Sequence, residues 1–263
     1  MLLKKMYGGI SKTRAVLHPS HHFPKPLNFT TMPVDSFLTV NPSAWFFDEP
    51  RKNDNGGSNM NVATILGGGP DDKPRFEIPE RVTIPFGLED GLEPTSRKKM
   101  ELSFSRDSAI VAAATRIDDF ILDWTLTNCE RVFKKKMTRE GISTLYRPLV
   151  TMPDAVAKRP LMRVKVNAQG KYKTKVFIIL GDTKYRVGNL EDLQSGCEIV
   201  PILEVGGVWF VAKGFGVTLV ANSILVYPSA RRNAGIDDFN LPAGMECVGG
   251  AASADDKPAA MEQ

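Results

Sequence analysis

From residue 161 to residue 228 the chain is built almost wholly of strand-forming runs. "LMRVKV" (161–166) and "KYKTKVFIIL" (171–180) alternate apolar with polar or charged residues. A short extended "TKYRVG" follows, and then "CEIVPILEV" (197–205), "VWFVAKGFGVTLVA" (208–221) and "SILVYP" (223–228). Alternation with a period of two marks a strand that turns one face to a core. Runs spaced this closely predict a mainly β fold. The connection "NAQG" (167–170) predicts that the first two runs pair as a hairpin.

Inside this region "GGVWFVAKGFG" (206–216) sets Trp209, Phe210 and Phe215 among four glycines. Glycine weakens a strand and marks a bend or a close approach to the backbone. Successive strand residues face opposite ways, so one of Trp209 and Phe210 is expected in the core and the other at the surface.

One long helix precedes the strands. Over 107–136, Ile110, Ala114, Ile117, Ile121 and Trp124 form an apolar stripe, with Leu122, Leu126, Cys129 and Phe133 beside it. Ser105 or Asp107 can cap its start, and Lys134, Lys135 and Lys136 suit its end. Asp118, Asp119 and Asp123 read as a solvated face. Further upstream, 34–47 reads as one or two short strands. Residues 51–74, rich in Gly, Asn and Asp, read as a long mobile loop, and 76–88, with two prolines, as an edge strand. The expected organisation is a basic flexible arm (1–33), a folded domain (34–228) and a small, polar, flexible tail (229–263). The arm also has features of a transit peptide, but Gly8, Gly9 and Pro19 break any amphipathic helix there.

Charge is unevenly placed. The net formal charge is +4, yet residues 134–186 alone hold 14 basic and 3 acidic side chains. Such a segment binds polyanions through counterion release. If 161–166 and 171–180 pair as a hairpin, Arg163, Lys165, Lys171, Lys173 and Lys175 share one face. Residues 155–181 contain no Asp or Glu to neutralise them, and like charges opposite one another destabilise a sheet. This face, with Lys184, Arg186 and Lys213, is therefore expected to track phosphates. Tyr172, Tyr185, Trp209 and Phe215 are the candidate stacking platforms, since every nucleic-acid base offers a π-face.

Enzymatic chemistry has little to work with. His18, His21 and His22 all lie in the N-terminal arm, and no motif sets a nucleophile beside a base. Cys129, Cys197 and Cys247 form no CxxC, so neither a metal site nor a disulfide framework is expected, and a reducing compartment fits. No apolar run is long enough to span a membrane. No cofactor is expected.

The segments "RPLMRVKV" and "SGCEIVPILEVGGVWFVAKGFGVTLVANSILVYP", with Gly-Val-Trp-Phe at 207–210 and Phe-Gly at 215–216, resemble the last part of a known family. These are the OB-fold single-stranded DNA-binding proteins of large nucleocytoplasmic DNA viruses, distantly similar to those of short-tailed phages. The resemblance implies a five-stranded OB-type barrel with a long helix inserted before the basic hairpin. It implies a sequence-tolerant grip on single-stranded DNA during replication, recombination and repair, inside the cell at sites of viral or nuclear DNA replication. Replication proteins and a second copy of the chain are the further partners it admits. Phage members end in an acidic tail closed by an aromatic residue. Here 229–263 holds six acidic and three basic residues and ends in Gln263, which puts tail-borne recruitment in doubt. Single-stranded RNA binding on the same scaffold, and a structural or virion protein with a basic partner-binding face, stay open as alternatives.

Overall fold

Two 14-residue strands carry the architecture of the computed structural model, which describes residues 34–53, 56–69, 71–90, 97–181 and 183–227. The expected arm (1–33) and tail (229–263) lie outside the described residues. The labelled strands are β1 (Ser58–Met60), β2 (Arg75–Glu77), β3 (Val82–Thr83), β4 (Lys98–Ser103), β5 (Tyr146–Arg147), β6 (Leu161–Val166), β7 (Lys175–Ile179), β8 (Tyr185–Gly188), β9 (Glu198–Val211) and β10 (Gly214–Tyr227). Helices α1 (Ala109–Thr127), α2 (Cys129–Phe133) and α3 (Arg139–Leu145) are inserted between β4 and β5.

β9 and β10 form one long hairpin that turns at Ala212 and Lys213. The sequence reading made three strands of this stretch and missed the turn, which lies in the middle of an apolar run without Asn or Gly at its centre. The ladder β9–β3–β4–β6–β10 returns to β9, so five strands close into a hydrogen-bonded ring. The fold is mainly β, as expected.

Three other expectations are corrected. The stretch 51–74 is not one long loop. It contains β1 and the short strands Arg51–Lys52 and Val62–Ala63, and β1 pairs with β9. Neither β2 nor β3 is an edge strand, for each is hydrogen-bonded on both sides. The helix breaks at Asn128 rather than running to 136. Ser108 caps it, its Oγ accepting from the Ile110 N–H at 3.1 Å.

The fourth correction matters most. β6 and β7 do not pair as a hairpin. Both run parallel to β10, one after the other along the same edge, with Lys165 opposite Val220 and Lys175 opposite Ser223. The intervening residues are a braced excursion. The Asn167 N–H donates to the Thr174 hydroxyl, which donates to the Ala221 carbonyl at 2.7 Å. These bonds seal the loop base onto β10 and let the chain resume its direction.

Inside the ring the core is aliphatic, including Met100, Leu102, Met162, Val164, Ile199 and Leu203. One end is plugged by aromatics. Phe210 and Phe215 stack at 5.6 Å, Phe133 meets both edge-on, and Tyr146 lies 5.1 Å from Phe215. α1 buries Ile110, Ala114, Ile117 and Ile121 in the same core. Trp124 is less deeply placed than its stripe suggests. It is partly buried and packs against Phe47 at 4.4 Å.

Candidate nucleic-acid interface

The outer face of β10 gathers cations from three separate segments. Arg147 of β5 is opposite Gly216, Lys165 of β6 is opposite Val220, and Lys175 of β7 is opposite Ser223. Paired residues share a face. Tyr146, Val166 and Val176, next to these cations, point into the core, so the cations point out. Val220 and Ser223 are three apart, which in a regular strand would put them on opposite faces. A bulge solves this: Leu203 pairs with Ala221 and Ile202 with Ser223, leaving Asn222 as the extra residue. At about 3.3 Å per residue the three cations are spaced by about 13 and 10 Å along the strand.

Trp209 stands beside this row. It pairs with Gly216 on one side and Asn59 on the other, and it is half-buried while its neighbour Phe210 is buried. A Cβ at 216 would come within 3.1 Å of the indole, so Gly216 is the seat of the ring. Gly207 has another role. Its φ is +130°, and a Cβ there would meet the Met60 carbonyl at 2.6 Å, so only glycine lets β9 bulge against β1. One cross-strand row thus reads Arg51, Asn59, Trp209, Gly216, Arg147, a ring flanked by a guanidinium two strands away on each side.

Lys165 faces a second cation. It is directly opposite Lys99 on β4. Its partial burial, and then the charges of Arg97 and Lys99, lower its pKa from the usual lysine range. Like charges so placed destabilise the sheet and favour an anion beside them.

Arg163, by contrast, is already neutralised. Its Nη2 donates to Glu101 Oε1 at 2.8 Å, across from it on β4. The absence of acids within 155–181 therefore did not leave this residue without a carboxylate, because the partner comes from a strand sixty residues earlier.

The other expected residues are dispersed. Lys171, Tyr172 and Lys173 belong to the excursion between β6 and β7. Tyr172 is 45% exposed, and Lys171 Nζ stands 5.1 Å from its ring centre. Tyr185 and Arg186 lie on β8, just after Lys184, opposite the far end of β7. Arg186 is paired with Asp192 at 2.9 Å, and Tyr185 is 54% exposed and edge-on to Phe177. Lys213 is at the tip of the β9–β10 hairpin. Phe215 is corrected outright. It is 0% exposed in the aromatic plug and cannot offer a face to a base.

The sequence reading missed Arg147, Lys99 and Arg97. Arg147 lies in "LYRP", a two-residue strand too short to show a period. What fixes it is Asp118, read wrongly as solvated. Asp118 is buried on α1, its Oδ1 accepting from Tyr146 Oη at 2.6 Å and from the Leu149 N–H at 3.2 Å. These bonds hold both sides of Arg147. Burial pushes the Asp118 carboxyl up to about 6, against the lowering effect of its hydrogen bonds. Asp123, exposed on the same helix as expected, pairs with Arg139.

No family model and no curated protein matches the chain. Among solved structures, it is similar to gp2.5, a single-stranded DNA-binding protein encoded by bacteriophage T7, at 13% identity and a TM-score of 0.44. That match covers 67% of this chain and 100% of the other. It is also similar to the single-stranded DNA-binding protein of bacteriophage Enc34 in a C-terminal truncation, at 11% identity and a TM-score of 0.40, over 69% and 95% of the two chains. The Enc34 protein in complex with single-stranded DNA gives 14% identity and a TM-score of 0.38, over 70% and 97%. The expected likeness to phage proteins thus has counterparts. The large-DNA-virus likeness has none among these structures. At such TM-scores the weight falls on this chain's own residues.

Proposed function

We propose that this protein binds single-stranded DNA along the outer face of β10. Phosphates follow the row Arg147, Lys165 and Lys175, and a base stacks on Trp209. The observation that carries this reading is the convergence of cations from three segments on one strand, next to a half-buried indole on the same face. A row of cations beside an aromatic platform suits a backbone with unpaired bases, and it reads charge and π-surface rather than base edges. Little sequence preference follows.

Such a protein would cover single strands during replication, recombination and repair, on an OB-type scaffold like that of the viral proteins it resembles. Its setting would be intracellular, where viral or nuclear DNA is copied. Competition binding tests the reading. Oligo-dT should outcompete duplex DNA of equal length, and affinity should fall steeply with salt. Equal or tighter binding of single-stranded RNA would shift the reading to an RNA-binding protein. No binding to any nucleic acid would leave the basic face to a protein partner.

A further inference from the structure

Where the cationic row ends, a cleft of about 570 Å³ opens at the rim of the ring, lined by Phe86, Lys98, Lys173, Asn189, Glu191 and Gln194 among others. We propose that this cleft is a nucleotide subsite that takes the bound strand beyond Lys175, with Phe86 as its base platform. The inference rests on the single-strand reading above and adds a site outside the face of β10.

Phe86 is unusual for a large apolar residue, being 60% exposed. It is also rigidly held. The turn that carries it is tied to residues 195–197 through Ile84 and Pro85, just before the ring. The Ser195 hydroxyl donates to the Pro85 carbonyl, the Gly196 N–H to the Ile84 carbonyl at 2.6 Å, and the Ile84 N–H to the Cys197 carbonyl at 2.9 Å. Gly87 completes the turn at a φ of +73°, and a Cβ there would press on the Ser195 nitrogen at 3.3 Å. An exposed ring on a braced turn keeps its face open at little ordering cost when a ligand arrives.

The chemistry of the walls suits one nucleotide. The volume falls in the range of small-ligand clefts. Lys173 has no ion-pair partner among the described residues, whereas Lys98 is held by Asp90 at 2.5 Å. Lys173 is thus the anchor for a phosphate. The side-chain amides of Asn189 and Gln194 offer donors and acceptors to a base edge. Continuity gives the occupant its identity. Lys173 is two residues from Lys175, the last cation of the row. A strand leaving the row at Lys175 meets the cleft next. Glu191 on the rim disfavours a ligand of high anionic charge, such as a free polyphosphate.

A length series of oligo-dT tests this with wild type, Phe86→Ala, Lys173→Glu and the row variant Lys165→Glu, with circular dichroism to check each fold. Oligomers from about 4 to about 30 nucleotides span the known footprints of single modules. The shortest should bind wild type and Phe86→Ala alike. The longest should bind Phe86→Ala about five- to a hundredfold more weakly, with Lys173→Glu following the same pattern. Lys165→Glu should weaken every length. If Phe86→Ala and Lys173→Glu match wild type at every length while Lys165→Glu is impaired, the cleft is not part of the path and the row stands. If wild type binds no oligomer, both readings fall. Thymidine monophosphate is the last arm. Saturable binding of the mononucleotide that is lost in Phe86→Ala, with no loss on long oligomers, would make the cleft a free-nucleotide site and overturn the continuation.

Discussion

The indole of Trp209 lies against Gly216, in the space that a Cβ would occupy at 3.1 Å from its Cζ2. The glycine gives the ring a seat on the outer side of the sheet, so Trp209 lies outside the core cluster. Trp209→Ala is therefore expected to cost less stability than the ~3–5 kcal/mol of a buried aromatic. It should weaken oligo-dT binding by ~1–3 kcal/mol. Urea unfolding and fluorescence anisotropy measure the two. A large stability loss with unchanged affinity would assign Trp209 to packing alone.

Phe215 is the complement. It stacks with Phe210 inside the ring and is fully buried. Phe215→Ala should cost ~3–5 kcal/mol in denaturant unfolding. Its folded fraction should still bind oligo-dT with wild-type affinity. Weakened binding by a fully folded Phe215→Ala protein would refute the core assignment.

Asp118 gives a pH dependence of defined sign. Its carboxyl is raised to about 6 in the fold. A chain free of structure titrates it near 3.9. Between these values the folded protein holds more protons than the unfolded one, so stability falls as pH rises. The contribution is fully present below about pH 4 and lost above about pH 6, an effect on the order of 3 kcal/mol. Asp118→Asn keeps an acceptor for Tyr146 Oη and Leu149 N–H and should flatten this part of the profile. An identical slope in both proteins between pH 4 and 6 would contradict the assignment.

The strands of 161–227 were legible because alternation survives in them, and the alternation at 209–210 put one aromatic inside and one outside without telling which. The pairing of those strands was not legible. A four-residue connection reads as a hairpin, and only the long-range bonds from Thr174 to Ala221 and Asn167 show that the chain continues forward along β10. The cation face failed for the same reason. Glu101, far upstream, neutralises Arg163, and Arg147 joins the row through a two-residue strand whose position depends on a buried aspartate. The charge content of the segment was visible in the sequence; which charges converge was decided by tertiary pairing.

The convergence of Arg147, Lys165 and Lys175 on β10 is tested most directly by the salt dependence of oligo-dT binding. Each lost phosphate contact removes about 0.7 from the slope of log affinity against log salt for a single strand. The double variant Arg147→Ala, Lys165→Ala should therefore bind more weakly and show a slope shallower by about 1.4. Lys136→Ala, which removes a cation beyond α2 that pairs with Glu130, should leave both unchanged. A double variant with the wild-type slope would contradict phosphate contact at this row and place the polyanion site elsewhere on the molecule.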